Sequence, residues 1–219
     1  MMIRKHIVAA LMACAVAAPS FAGAPADDLL SLQHDWAQIK YKMTDKDAQE
    51  EAIEALAARA NQLSDEHDRK AEFLVWQAIV LSTQAGIDGG LGALGKVKEA
   101  RKLLEEAEKA DPDALDGAIA TSLGSLYYQV PGWPIGFGSK KKARKYLTKA
   151  VAANPDGIDS NFFYGDFLVE KGEYEQAREV LLHALDAPAR PDRPLADAGR
   201  KEEIKALLEK IESKLGKRS

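Results

Sequence analysis

Apolar residues recur every three or four positions along most of the chain, which is the spacing of one buried helix face. Proline, glycine and polar clusters interrupt this pattern at intervals, and no strand of useful length is indicated. The sequence therefore predicts an all-α protein. The predicted helices span residues 26–42, 46–63, 66–85, 91–110, 113–129, 140–153, 158–171, 173–186 and 198–215.

Three segments of the chain repeat one small-residue pattern: an alanine, a leucine four positions later and a further alanine three positions beyond it. The members are Ala100, Leu104 and Ala107; Ala143, Leu147 and Ala150; and Ala177, Leu181 and Ala184. The last two segments begin 34 residues apart and the first two 43 apart, so the middle unit carries an insertion.

The helices before these segments also share a pattern. Gly165 precedes Ala177 by twelve residues, within Tyr-Gly-Asp-Phe-Leu, and Gly124 has the same setting in Leu-Gly-Ser-Leu-Tyr. Gly172 and Tyr174 form a Gly-x-Tyr turn between the two helices of the last unit. These residues resemble the tetratricopeptide repeat (TPR), most closely over residues 113–188. Small residues at such points let paired helices approach closely.

The TPR resemblance implies a right-handed solenoid of helix hairpins in a single domain, residues 23–219. Its hairpins are expected at about 26–63, 66–110, 113–153 and 158–186, with a capping helix at 198–215. An apolar stripe on that last helix supports the cap, because a solenoid must cover its exposed end. The stripe comprises Ile204, Leu207, Leu208, Ile211 and Leu215.

The first 22 residues have the layout of a secretory signal peptide: Arg4 and Lys5, an apolar run, then small residues at Ser20 and Ala22. This predicts export to the bacterial periplasm. An alternative is that the residues ending at Cys14 act as a lipobox, which would anchor the protein by a lipid on Cys14. Without the signal peptide the chain has no cysteine, so we expect no disulfide.

The net charge of the mature chain makes some classes of binding partner less expected. Loss of two cations with the signal peptide changes the formal net charge from −4 to −6. A mildly acidic protein has no bulk attraction to a phosphate backbone, so nucleic acid is not an expected partner, and an anionic membrane surface is disfavoured for the same reason.

Candidate chemistry is sparse. The segment from Gly90 to Lys96 satisfies glycine-rich nucleotide-binding patterns, but it follows a predicted helix and not a strand, so we expect a flexible loop over residues 86–95. The histidines His34, His67 and His183 lie on different predicted helices without metal-ligand spacing. The sequence predicts no enzyme, no cofactor and no metal site.

Two regions are candidates for binding. The insertion at 130–139 carries Trp133, Ile135 and Phe137, which either form a binding edge or fold back to fill a local gap. The TPR resemblance implies a concave groove lined by the first helix of each hairpin. Its candidate residues are Thr121, Ser125, Tyr128, Gln129, Asp159, Phe162, Asp166, Val169 and Glu170.

Two functions remain open. The first is a non-catalytic scaffold that binds a protein or peptide partner in the periplasm. The second rests on residues 127–137 and 159–166, which resemble the TPR proteins grouped with the T component of TRAP transporters. That resemblance implies an accessory to a periplasmic solute-binding protein, which holds a small apolar ligand and can self-associate. A deep closed pocket favours the ligand, and an open groove favours the polypeptide.

Overall fold

The computed structural model describes residues 25–216, and within them the chain forms nine α-helices and no strand, as the sequence predicts. The signal-peptide prediction for residues 1–22 and the alternative at Cys14 lie outside the described residues. The helices are α1 Pro25–Lys42, α2 Lys46–Glu66, α3 Ala71–Asp88, α4 Gly90–Ala110, α5 Ala118–Gln129, α6 Lys140–Ala153, α7 Ile158–Lys171, α8 Tyr174–Leu185 and α9 Pro194–Leu215.

Consecutive helices pair as four antiparallel hairpins: α1 with α2, α3 with α4, α5 with α6, and α7 with α8. The first helices of adjacent hairpins also contact one another, so α1, α3, α5 and α7 form an inner layer. This arrangement confirms the predicted TPR-like solenoid.

Glycine sets the separation of the paired helices in the last two hairpins. A Cβ atom added at Gly165 would lie 2.6 Å from Cγ of Leu181, and one added at Gly124 would lie 2.6 Å from Cγ of Leu147. Both leucines are completely buried. The close approach inferred from the repeated pattern is therefore confirmed, and each leucine fills the space that its glycine leaves.

The predicted loop at 86–95 is wrong. Helix α3 continues to Asp88 and α4 begins at Gly90, so only Gly89 separates them. Gly89 and Gly90 have φ values of +62° and +64°, which reverse the chain at little cost because glycine has no Cβ. The remaining glycines of this segment lie within helices and face open space, so they do not break them.

Three helix starts also differ from prediction. Helix α3 begins at Ala71 and not at 66, because Asp68 and Arg69 adopt left-handed backbone conformations in a turn. Helix α5 begins at Ala118 and not at 113, after a similar left-handed turn at 115–117. Helix α9 begins four residues early, because Pro194 supplies a favourable first helical residue.

Helix α9 covers the last hairpin, as predicted: Ile204 and Ile211 are completely buried in the core formed with α7 and α8. It also contacts α1, at the opposite end of the solenoid. A Cβ atom on Gly199 would lie 2.4 Å from the ring of Tyr41, and the hydroxyl of Tyr41 donates to Glu203 at 3.2 Å. The cap therefore joins both ends of the array.

None of the helices in residues 25–216 combines the length and apolar character needed to cross a membrane.

We expect Gly165→Leu to lower the free energy of unfolding by at least about 3 kcal/mol, because the new side chain would overpack the contact with Leu181. Chemical denaturation measures this change. Gly95→Ala is the matched control, since Gly95 lies within α4 with no atom near its Cβ position. It should raise stability by about 0.5–1 kcal/mol. Equal effects from both substitutions would contradict the proposed packing.

Candidate functional site

The inner layer of helices forms a concave groove of about 1560 Å³, which is also bounded by α9 and by the segment that precedes it. The groove is partly enclosed because α9 crosses to α1 at one side. Residues from all four hairpins line it. Among them are Trp36, Tyr41, Trp76, Ile79, Thr83, Thr121, Ser125, Gln129, Asp159, Phe162, Phe163, Asp166, Arg190, Arg193, Arg200 and Glu203.

The structure brings most of the predicted groove residues together. Six of the nine line the cavity: Thr121, Ser125, Gln129, Asp159, Phe162 and Asp166. The others do not. Val169 is buried in the core of the last hairpin, and Glu170 accepts a hydrogen bond from Lys140 at 2.8 Å. Tyr128 is buried, and its hydroxyl group bonds to Asp166, which does line the cavity.

The hydroxyl of Tyr128 donates a 2.5 Å hydrogen bond to Asp166, and the side-chain amide of Gln129 donates to the same hydroxyl at 3.1 Å. Burial, followed by the nearby charge of Asp166, raises the pKa of Tyr128 well above its usual value. Burial also raises the pKa of Asp166, against the lowering effect of the Tyr128 hydrogen bond. Tyr128 therefore remains a hydrogen-bond donor that orients a groove carboxylate.

Aromatic residues from the first two hairpins also line the groove, and the sequence analysis did not identify them. Trp36 and Trp76 pack edge to face with ring centroids 5.8 Å apart, and the indole nitrogen of Trp36 donates to Thr83 at 2.8 Å. The repeat pattern is weak over residues 26–63, so family positions could not be transferred there. The sequence offered one sign of their position: the apolar residues of α3 lie on several faces of the helix, which is typical of a helix buried on more than one side.

Basic residues from the C-terminal part of the chain were also missed. Arg200, with a side chain only 8% exposed, donates from Nε to Asp159 at 2.9 Å and from Nη1 to Glu203 at 2.6 Å. Its guanidinium carbon lies 4.1 Å from the centroid of the Phe162 ring. Arg190 also donates to Asp159, at 2.8 Å. The repeat pattern recognised in the sequence ends at residue 188, so it does not predict the position of these arginines.

Asp159 is the acceptor shared by these two arginines. Burial alone would raise the pKa of its carboxyl group, but the charges of Arg200, Arg190 and Arg193 oppose this and hold that pKa well below its ordinary value. Asp159 is therefore ionised at every physiological pH, and it fixes the positions of the arginines around the groove.

The sequence left two roles open for the aromatic residues of the inserted loop, a binding edge or the filling of a local gap, and the structure places these residues differently. The side chains of Trp133 and Ile135 are 90% and 66% exposed, whereas Phe137 packs edge-on against Tyr127 with centroids 5.8 Å apart. Ile135 contributes to the rim of the groove, but neither Trp133 nor Phe137 lines it. A Cβ on Gly138 would lie 1.9 Å from the Val130 carbonyl oxygen, so the loop is compact. Phe137 thus fills a gap, and Trp133 is presented to solvent.

Within residues 25–216, no group of three or more His, Cys, Asp or Glu side chains could hold a metal ion. The histidines make separate contacts: His67 pairs with Asp28 at 2.9 Å and His183 with Asp156 at 3.1 Å.

Comparison with known proteins supports the repeat architecture. Residues 138–211 match the family described as tetratricopeptide repeat. A thermophilic TPR protein from Thermus thermophilus has a similar structure, with a TM-score of 0.61, 18% identity, and coverage of 88% of this chain and 84% of that one. MamA from AMB-1 is more distant, with a TM-score of 0.47, 20% identity, and coverage of 90% and 100%. No curated protein sequence matches the chain.

We expect Asp159→Asn to lower the free energy of unfolding at pH 7 by about 2–3 kcal/mol, because Arg200 would lose its main partner. This expected loss is smaller than the 3–5 kcal/mol typical of breaking a buried ion pair, because Asp159 is about one-third exposed. Because its folded pKa is depressed, the stabilisation is fully present above the ordinary aspartate value of about 3.9 and is lost as the pH falls below it.

Urea midpoints at pH 7 and pH 3 measure this dependence. The wild-type protein should lose more stability over that interval than Asp159→Asn. Asp113→Asn, at an exposed position with no ion pair to any described residue, is the control and should behave like the wild type. Identical pH dependence in the wild type and Asp159→Asn would contradict the assigned role.

The two loop aromatics should respond differently to truncation. Trp133→Ala is expected to change the free energy of unfolding by less than about 0.5 kcal/mol, because its side chain is exposed. Phe137→Ala should cost about 2 kcal/mol, less than the 3–5 kcal/mol of a fully buried phenylalanine. Thermal denaturation of both variants tests this difference, and a large loss in Trp133→Ala would show that the loop is packed differently.

Proposed function

We propose that this tetratricopeptide-repeat protein is an exported, non-catalytic scaffold that binds a polypeptide segment of a periplasmic partner in its concave groove. The observation that carries the proposal is the size and form of the groove. Small-molecule sites typically occupy about 300–1,000 Å³, whereas this groove measures about 1560 Å³ and runs across all four hairpins. A space of this length and volume fits a chain segment better than a compact metabolite.

The groove lining suits a peptide chemically. Ile79, Ile135 and Phe163 line the groove and are at least partly exposed, so they provide apolar contact surface for a bound segment. Ser125 and Gln129, which are not buried, supply groups that can form hydrogen bonds to a peptide backbone. TPR proteins are generally non-catalytic and bind other proteins, which agrees with this lining.

Export is part of the proposal and is supported by the amino-acid sequence of residues 1–22. We take the mature protein to be periplasmic, with a lipid anchor at Cys14 as the alternative. Fractionation of the native host, with mass determination of the mature N-terminus, separates these two states. Retention of the protein in the cytoplasm with residues 1–22 intact would contradict both.

A second candidate is an accessory component of a TRAP-type transport system, which would partner a solute-binding protein and hold a small apolar ligand. The partial enclosure of the groove by α9 and the apolar residues Ile79 and Phe163 in its lining favour this candidate. It differs from the first in what occupies the groove, and a mass measurement distinguishes the two.

The decisive experiment places a photoreactive amino acid at Ser125, which lines the groove, in protein produced in its native host. Replacement of Glu54, which is exposed on α2 away from the groove, provides the matched control. We expect a discrete polypeptide adduct from position 125 after irradiation and none from position 54.

Native mass spectrometry of the unmodified protein from the same host identifies the alternative. A retained small molecule, with no polypeptide adduct, would replace the scaffold proposal with the ligand-binding one. Adducts of equal yield at both positions would contradict a groove-specific partner, and a link between two copies of this chain would indicate self-association instead.

A further inference from the structure

One arginine in the groove has no acidic partner. Arg193 immediately precedes α9, and its backbone amide donates to the carbonyl of Arg190 at 2.9 Å, so its position is fixed by a turn. Its guanidinium carbon lies 4.8 Å from the centroid of the Trp76 ring. Among residues 25–216, no carboxylate forms an ion pair with it, and its Nε atom is buried without a hydrogen-bond partner.

The carboxylates near Arg193 are already engaged by other cations. Asp159 contacts both Arg190 and Arg200, and Asp197 contacts Arg190 through both oxygens. The remaining member of this network, Glu203, contacts Arg200, Lys40 and the hydroxyl of Tyr41. Within this network of ion pairs, Arg193 is the basic side chain that forms none.

The surroundings of Arg193 favour a further anion. Burial, followed by the like charge of Arg190, lowers the pKa of Arg193, against the raising effect of the charges of Asp159 and Asp197. A cation held beside other cations and partly removed from water favours the approach of an anion. The stacking on Trp76 adds a geometric constraint, because an aromatic face holds the planar guanidinium in one orientation.

We propose that Arg193 and Trp76 form a subsite for the carboxylate of an aspartate or glutamate side chain in the bound polypeptide, with an apolar residue next to it. This inference rests on the proposed function. The flat guanidinium fork matches a planar, singly charged carboxylate. Ile79, which is partly exposed, lines the groove one helical turn after Trp76 and accepts the apolar residue.

Charge favours a carboxylate over a phosphate group. One unpaired arginine balances one negative charge, whereas a phosphate monoester carries about −1.5 to −2 at neutral pH. The charges of Asp159 and Asp197, which act on Arg193, would repel that excess charge. The site therefore selects an acidic side chain and gives the groove a preference within peptide sequences.

The test is selection of random displayed peptides on the mature protein, followed by comparison of the enriched sequences. We expect the wild type to enrich peptides that contain aspartate or glutamate beside an apolar residue. Arg193→Gln should lose the acidic preference but still enrich apolar sequences. Lys141→Gln, which removes a positive charge from an exposed position outside the groove, is the matched control and should enrich the same acidic peptides as the wild type.

Affinity measurements then test the interaction between Arg193 and the acidic residue of the peptide. For one selected peptide and its Glu→Gln or Asp→Asn counterpart, Arg193→Gln should weaken binding of the acidic peptide about tenfold or more and leave the neutral peptide nearly unchanged. Arg193→Lys should give an intermediate loss, because it keeps the charge without the planar fork. Thermal denaturation of each variant shows whether the fold is retained.

The possible outcomes distinguish a failure of the carboxylate subsite from a failure of the proposed peptide binding. Enrichment of peptides without acidic residues by the wild type would overturn the carboxylate subsite and leave peptide binding in the groove intact. A failure of the wild type to enrich any peptide would overturn both. Equal losses for the acidic and neutral peptides in Arg193→Gln would assign Arg193 a structural role only.

Discussion

The groove depends on a single charged junction, in which the buried guanidinium of Arg200 on α9 is paired with Asp159 on α7 and with Glu203. Removing a guanidinium group from water is costly, and only good geometry and full pairing offset the cost. Here two carboxylates and the ring of Phe162 surround the group. Any displacement of α9 would leave these charges buried and unpaired, so the junction fixes the helix in one place.

Three levels of packing lead to that junction. Within a hairpin, a glycine on the first helix meets a leucine on the second, which sets the distance between them. Between hairpins, the first helices stack and place their aromatic side chains on one concave surface. The last helix then connects the final hairpin to the first. Each level positions the next, so the binding surface is built by contacts that are remote from it in sequence.

Most of the fold could be predicted from the sequence because it is encoded locally. The apolar spacing located all nine helices, and the alanine and glycine positions identified the hairpins. The glycine-rich segment around Gly92 was wrongly predicted to be a loop. Glycine in a helix costs stability but does not prevent the helix from forming. The turn at Asp68 and Arg69 was also missed, since part of its support is the distant pairing of Arg69 with Glu106.

The candidate site could be predicted only in part. Residues such as Asp159 and Phe162 occupy regular positions in a repeat, so their place in the groove followed from the resemblance. Arg193 and Arg200 lie beyond the repeats that the alanine and glycine pattern identifies, and the three-dimensional course of the chain around α9 brings them to Trp76 and Phe162. Closure of a chain on itself joins residues that are far apart in sequence, and local patterns carry no information about such contacts.

The contact between Gly199 of α9 and Tyr41 of α1 also changes how the molecule comes apart. In a linear repeat array each unit touches only its neighbours, so the terminal units fray first and melting spreads inward. Here the first and last described helices, α1 and α9, contact and support each other. Loss of one terminal helix removes a neighbour from the other, which couples their melting and makes the array behave as a single cooperative unit, closer to a ring than to a rod.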